Sequence, residues 1–245
     1  RAACLNPVEH YGLRCGLLRP GDPGDLIRLH DLVSFKVIET WIDGQCVARD
    51  GHSLLPKSKS PRANKFHATA KVPSDFAIPV PTSSGAADLA SSDRNGPTPL
   101  LRVIEALDGQ IITGSAFAEA LIHDGHAMAN PAQDILKITV VNRYNNAPPA
   151  VAFVRGVGLK SGAIASSVAH DCHNIVAVGT SDEDLARVVN LLIKNEGGIA
   201  AVGPDGFEDI LPLPIAGLMS DAYAEDVATG YARLTREAKS LGSPL

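Results

Sequence analysis

Within five positions, His170 to Asn174, the run VAHDCHNIV gathers two histidines, an aspartate, a cysteine and an asparagine. Imidazoles at this spacing could bind one metal ion, or hold a substrate carbonyl or ring nitrogen while Asp171 fixes a tautomer. Cys172 could serve as a nucleophile beside His170 or His173, although no oxyanion-binding motif accompanies it. The plainer reading is a polar turn in which Asp171 and Asn174 accept backbone N–H groups. The setting favours chemistry. Ser166 and Ser167 precede the turn in a stretch otherwise suited to burial, Arg155 and Lys160 lie near, and a buried polar set needs partners or a ligand. A second polar turn, His123-Asp124-Gly125-His126, has glycine at its tip and reads as a solvated loop. Asn142 and Arg143 end an apolar stretch and could face a ligand, though an arginine at a strand end is usually solvent-exposed.

These side chains need a frame, and their neighbours supply one. Ala163 to Ala169 and Asn174 to Gly179 are apolar and strand-like; paired as a hairpin, they put Asp171 and Cys172 at its turn with His170 and His173 flanking them. Asp134 to Tyr144 and Val151 to Val157 read as further strands. Ser181 is a helix N-cap with Asp184 at the capping-box position, and Asp182 and Glu183 suit the helix dipole. Leu185, Val188, Val189, Leu192 and Ile193 then recur on one helical face until Gly197-Gly198. Ile199 to Val202, a Pro204-Asp205-Gly206 turn and Phe207 to Leu213 form another hairpin, and Ser220-Asp221 caps a last helix to about Ser240. Upstream, Pro99 to Leu107 suits a helix; Gln110 to Ile122 reads as strand, with a helix from Ser115 competing. Strands alternating with helices predict a layered α/β domain over residues 66–245.

Residues 1–52 form a separate block: a short helix from Asn6-Pro7 through Tyr11, turns between Pro20 and Gly24, and strands at Leu26 to Leu29, Phe35 to Ile42 and Gln45 to Arg49, the last two joined by Asp43-Gly44. The block has too few strands to close its own sheet, so its edge is expected to pair with strands from elsewhere, upstream of Arg1. A first residue that is not Met suggests a piece of something longer. Trp41 is expected in the core or at an interface. Residues 53–65, with Lys57, Lys59 and Arg62 among prolines and serines, read as a solvated linker, and Pro79 to Pro99 as a long loop.

The totals exclude several functions. A formal net charge of −5 and 4% aromatic residues argue against nucleic-acid binding, which needs clustered cations and stacking surfaces. No apolar run reaches the roughly 20 residues that span a bilayer, so no membrane partner is expected. Cys4, Cys15, Cys46 and Cys172 show no CxxC spacing, and free thiols in a reducing cytoplasm are the expectation. There is no GxGxxG or GxxxxGK[ST] loop.

The strings DILKITVVNRY, APPAVAFVRGVGLKSGAIASSVAHDCHNIVAVGTSDEDLARVVNLL and LPLPIAGLMSD resemble the C-terminal region of the bacterial adenine deaminases, in the metal-dependent amidohydrolase superfamily. The likeness covers most of Asp134 to Asp221 and its long words are specific. The opening block, LNPVEHYGL, GLLRPGDPGDLIRLHDL and VIETWIDGQCV, similarly resembles the end of an amidohydrolase barrel passing into a partial β-sandwich that is normally built from both chain ends. The family usually has Ser where Cys172 stands.

The resemblance implies hydrolysis of adenine to hypoxanthine and ammonia in purine salvage. Two divalent ions, manganese or iron, would supply hydroxide to C6 of the purine while a carboxylate shuttles protons. The family draws its first metal ligands from an HxH pair in the barrel, and no HxH occurs here. The chain alone is therefore expected to hold no metal and to be inactive without a barrel domain as partner. Its turn would have an accessory role, with His170, Asp171 and His173 as a lid or pocket wall and Ser166, Ser167 and Asn174 toward the purine.

Two other readings compete: a noncatalytic oligomerisation or purine-binding module, and a self-contained metal or thiol hydrolase centred on His170, Asp171, Cys172 and His173. The apolar LPLPIAGLM segment could serve a homo-oligomer contact.

Overall fold

The computed structural model describes residues 1–56, 61–80 and 99–244; Lys57, Lys59 and nearly all of the expected loop from Pro79 to Pro99 lie outside them. The chain divides into two units, Arg1–Lys59 and Ser60–Leu245.

The first unit holds helix α1 (Leu5–Tyr11) and an antiparallel meander of β1 (Leu26–Leu29), β2 (Val37–Ile42), β3 (Gln45–Arg49) and β4 (His52–Ser53). Asp43 and Gly44, both at positive φ, make the tight β2–β3 turn that the sequence signals. Charge holds this sheet: Arg28, Glu39 and Arg49 face one another across three strands. Glu39 accepts from Arg28 Nε at 2.9 Å, Arg49 Nε at 3.2 Å and Trp41 Nε1 at 3.1 Å. Trp41 is half-buried. Among the described residues, every fully buried hydrophobic side chain lies at Phe76 or beyond, so this sheet has no closed apolar core of its own.

The second unit is built on an eight-stranded sheet. Its strands are β6 (Leu100–Glu105), β7 (Gly114–Glu119), β10 (Leu136–Val141), β11 (Ala150–Arg155), β12 (Ala163–Ser166), β13 (Ile175–Gly179), β14 (Gly198–Val202) and β15 (Glu208–Pro212). Their order is β15-β14-β12-β13-β10-β11-β6-β7, and only the β11–β6 pair is parallel. A small sheet of β5 (Ile78–Pro79), β8 (Leu121–His123) and β9 (His126–Met128) accompanies it. Helix α2 (Asp182–Lys194) buries Leu185, Val188, Val189 and Leu192 against Ala163, Ala165, Ile175 and Ala177. Helix α3 (Ala224–Ser240) covers the other face, where Leu234 meets Leu211, Leu213 and Ala201. The layered α/β architecture follows from these two apolar faces.

Ser181 Oγ accepts from Asp184 N–H at 3.1 Å, so α2 starts where its cap directs. Beneath it, Lys137 is fully buried on β10, and its ammonium donates to Asp182 Oδ1 at 2.6 Å and to the Phe76 carbonyl at 3.1 Å. The pair ties strand, helix start and the chain before β5 together.

Three assignments change. Pro99 to Leu107 is strand β6, not helix: Leu101 and Val103 turn inward while Leu100, Arg102 and Ile104 turn out, and pairing on both sides outweighs local helical preference. The outward face of β6 and β7, with Leu100, Ile104 and Phe117, is exposed. The last helix begins at Ala224, because Ser220 Oγ accepts from Ala222 N–H in a turn instead of capping it. Arg155 and Lys160 lie at the far end of the sheet from the histidine turn. Arg155 pairs with Glu105, and Lys160 Nζ reaches the Pro131 carbonyl at 3.5 Å. Of the expected strand from Gln110 to Ile122, Gln110 to Thr113 lie outside any strand, and the remainder is β7 from Gly114 and the start of β8, split at Ala120.

Candidate functional site

Strands β12 and β13 pair antiparallel from Ala163↔Gly179 to Ser166↔Val176, so the turn that follows sits at one end of the large sheet. The ends of β10, at Val141, and of β14, at Gly198, lie at the same end. His173 N–H closes the turn onto the Ala169 carbonyl at 2.7 Å. Asp171 (φ 71°) and His173 (φ 48°) take left-handed backbone, which aspartate and histidine tolerate better than bulkier residues.

The tip is open to solvent: the His170 and Asp171 side chains are 94% and 89% exposed, and His170 Nδ1 lies 3.0 Å from Asp171 Oδ1. Cys172 is exposed as a free thiol. The base is ordered. Asn174 Oδ1 accepts from Arg143 N–H at 3.3 Å, and Ser166 Oγ accepts from Val168 N–H at 3.0 Å. Ser167 is fully buried and all its bonds go to backbone: Oγ accepts from Gly198 N–H at 2.8 Å and donates to the Gly217 carbonyl at 2.6 Å. Among the described residues no three His, Cys, Asp or Glu side chains converge to hold a metal ion, so the turn does not fit a metal centre. An exposed thiol with no imidazole partner among the described residues lends no support to a self-contained thiol hydrolase.

Sequence reasoning singled out Arg143 as a strand-end residue that could face a ligand, but missed that it is buried and organises this end of the sheet. Arg143 is 4% exposed, not solvated at a strand end. Its Nη1 donates to Asn64 Oδ1 at 3.1 Å and its Nη2 to the Tyr144 hydroxyl at 3.0 Å. Its guanidinium carbon lies 4.6 Å from the Tyr144 ring centre and 5.9 Å from that of Phe66. Asn64, within the expected linker, also donates to the Glu196 carbonyl at 2.7 Å. The LPLPIAGLM segment spends Leu211 and Leu213 in the core. The His123–His126 turn is an exposed hairpin tip between β8 and β9.

A family model described as the adenine deaminase C-terminal domain matches residues 110–245. The chain belongs to this family. Similar proteins named adenine deaminase include one from Salinibacter ruber, 48% identical over 247 residues, which takes in all of this chain and 42% of that protein. One from Methanosarcina barkeri is 44% identical over 245 residues, all of this chain and 43% of that protein. One from a Sulfurovum strain is 47% identical over 236 residues, 96% of this chain and 40% of that protein. The chain thus spans about two-fifths of the length of these curated relatives. In the adenine deaminase C-terminal domain family the resemblance read from DILKITVVNRY onward is borne out. No helix among the described residues is long and apolar enough to cross a membrane.

Proposed function

We propose that this chain serves as the C-terminal part of an adenine deaminase, converting adenine and water to hypoxanthine and ammonia, and that it depends on a metal-binding barrel for the chemistry. The observation that carries this is full-length similarity to proteins named adenine deaminase that extend well beyond it. The metals, manganese or iron, would sit on residues other than those at the turn, consistent with the lack of a three-ligand group among the described residues. Residues 1–52 would contribute the end of that barrel and part of a β-sandwich, 53–65 the linker, and 66–245 the C-terminal domain. The open sheet of the first unit, with apolar residues such as Leu32, Val33 and Phe35 exposed, supports a sandwich completed by other strands.

The His170–Asn174 turn, exposed from His170 to Cys172, would form a lid or wall over the purine pocket and exclude water from it, with Ser166, Ser167 and Asn174 shaping its base. In the complete, metal-loaded enzyme, His170→Ala and His173→Ala are expected to lower kcat/KM for adenine without loss of bound metal. Wild-type kinetics in both variants sinks the lid. Rapid adenine turnover by this chain alone, free of other enzymes, sinks the division of labour.

A further inference from the structure

We propose that Arg143, with His173 on the adjoining strand end, is a binding site for a carboxylate group. Two buried cations of this sheet are treated differently. Lys137 has its counter-ion in Asp182, whereas Arg143 pairs with no acid among the described residues. The donors Arg143 does use go to neutral oxygens of Asn64 and Tyr144, and its Nε–H is buried with no partner. Burying a guanidinium is unfavourable unless an anion and a full set of acceptors accompany it.

The other buried side-chain atom without a partner among the described residues is His173 Nδ1. The two orphans stand on adjoining strand ends. β10 and β13 pair as far as Val141↔Ile175, and just beyond, Arg143 N–H bonds Asn174. A carboxylate matches this pair. One oxygen accepts from Arg143 Nε, the other from His173 protonated on Nδ1, and the single negative charge offsets the guanidinium. The Phe66 and Tyr144 rings lie over the guanidinium, so a planar anion would meet it along its edge, where the donors point. This site shares His173 with the proposed lid but needs no purine chemistry, and carboxylate binding by Arg143 is read separately from adenine turnover.

The test follows thermal unfolding of the whole 245-residue chain in sodium acetate against sodium chloride at matched ionic strength and pH. A saturable rise of Tm in acetate is expected. It is lost in Arg143→Gln, and half-saturation moves about tenfold higher in His173→Ala, the worth of one charge-assisted hydrogen bond. Should Arg143→Gln fail to fold, the ¹H–¹⁵N signals of the arginine Nε groups in the wild type give the same reading: one shifts with acetate along the same saturation curve. N-acetyl-glutamate N-methylamide is titrated in parallel. Tighter binding of this capped glutamate marks a polypeptide side chain as the natural occupant, and tighter binding of acetate marks a free small acid. Equal responses to acetate and chloride, a response retained in Arg143→Gln, or Nε signals that all stay put overturn the proposal.

Discussion

Gly217 shows how tightly the buried arginine is housed. It has φ +68°, and a β-carbon there would lie 2.7 Å from Arg143 Nη1 and 3.5 Å from Ser167 Oγ. Arg143 cannot easily yield, because that nitrogen is held on Asn64. Gly217→Ala is therefore expected to cost about 1–3 kcal/mol from backbone strain, before the displaced guanidinium is counted. Urea unfolding of the variant checks this, and unchanged stability would refute both the backbone strain and the tight housing of the arginine. None of this was legible in sequence. Asn64 and Phe66 lie more than seventy positions before Arg143, and only the folded chain brings them over it.

The elements were more readable than their partners. Strands β10 to β14 and helix α2 each carry a local signature: β-branched runs, a capping serine, an apolar helical stripe. The histidine turn was legible too, because the strands around it fix its position. β6 was not, since Leu100, Leu101, Val103 and Ile104 satisfy both a helix and a two-sided strand until a neighbour decides. Lys137 was hidden for a similar reason. Nothing local says that a lysine in DILKITVV points inward to a helix start forty-five residues on.

That pair makes its own forecast. Lys137→Met leaves Asp182 largely buried without its cation, and a loss of about 3–5 kcal/mol is expected. Removing both charges, with Lys137→Met and Asp182→Ser, is expected to recover much of it, since Ser still tolerates the first helical turn. A double variant no better than the single one, by urea unfolding, contradicts this.

Across the whole molecule, apolar burial and acid sensitivity are unevenly divided. The fully buried hydrophobic side chains belong to the second unit. In the first, hydrogen bonds hold Asp22, Asp25 and Asp31 below the ordinary carboxylate range, and Glu39 is lowered to about 2, chiefly by Arg28 and then by Trp41. A depressed native pKa stabilises above the unfolded value and ceases to do so as pH falls through the native one. For Glu39 the stabilisation is complete above about 4.5 and fades toward 2. The chain has one tryptophan, Trp41, which donates to that carboxylate and so reports on this unit. Its fluorescence is expected to show unfolding on acidification through that window while far-UV circular dichroism still reports the large sheet. Coincident transitions refute the division.

The outward face of β6 and β7 has a practical meaning. Phe117 is 68% and Leu100 66% exposed on a strand pair whose outer strand has no neighbour on one side among the described residues. Water wets such a surface poorly, and concentrated stocks of the polypeptide will tend to stick to one another there. Dilute preparations, or a lysine in place of Phe117, are the natural remedy for clumping.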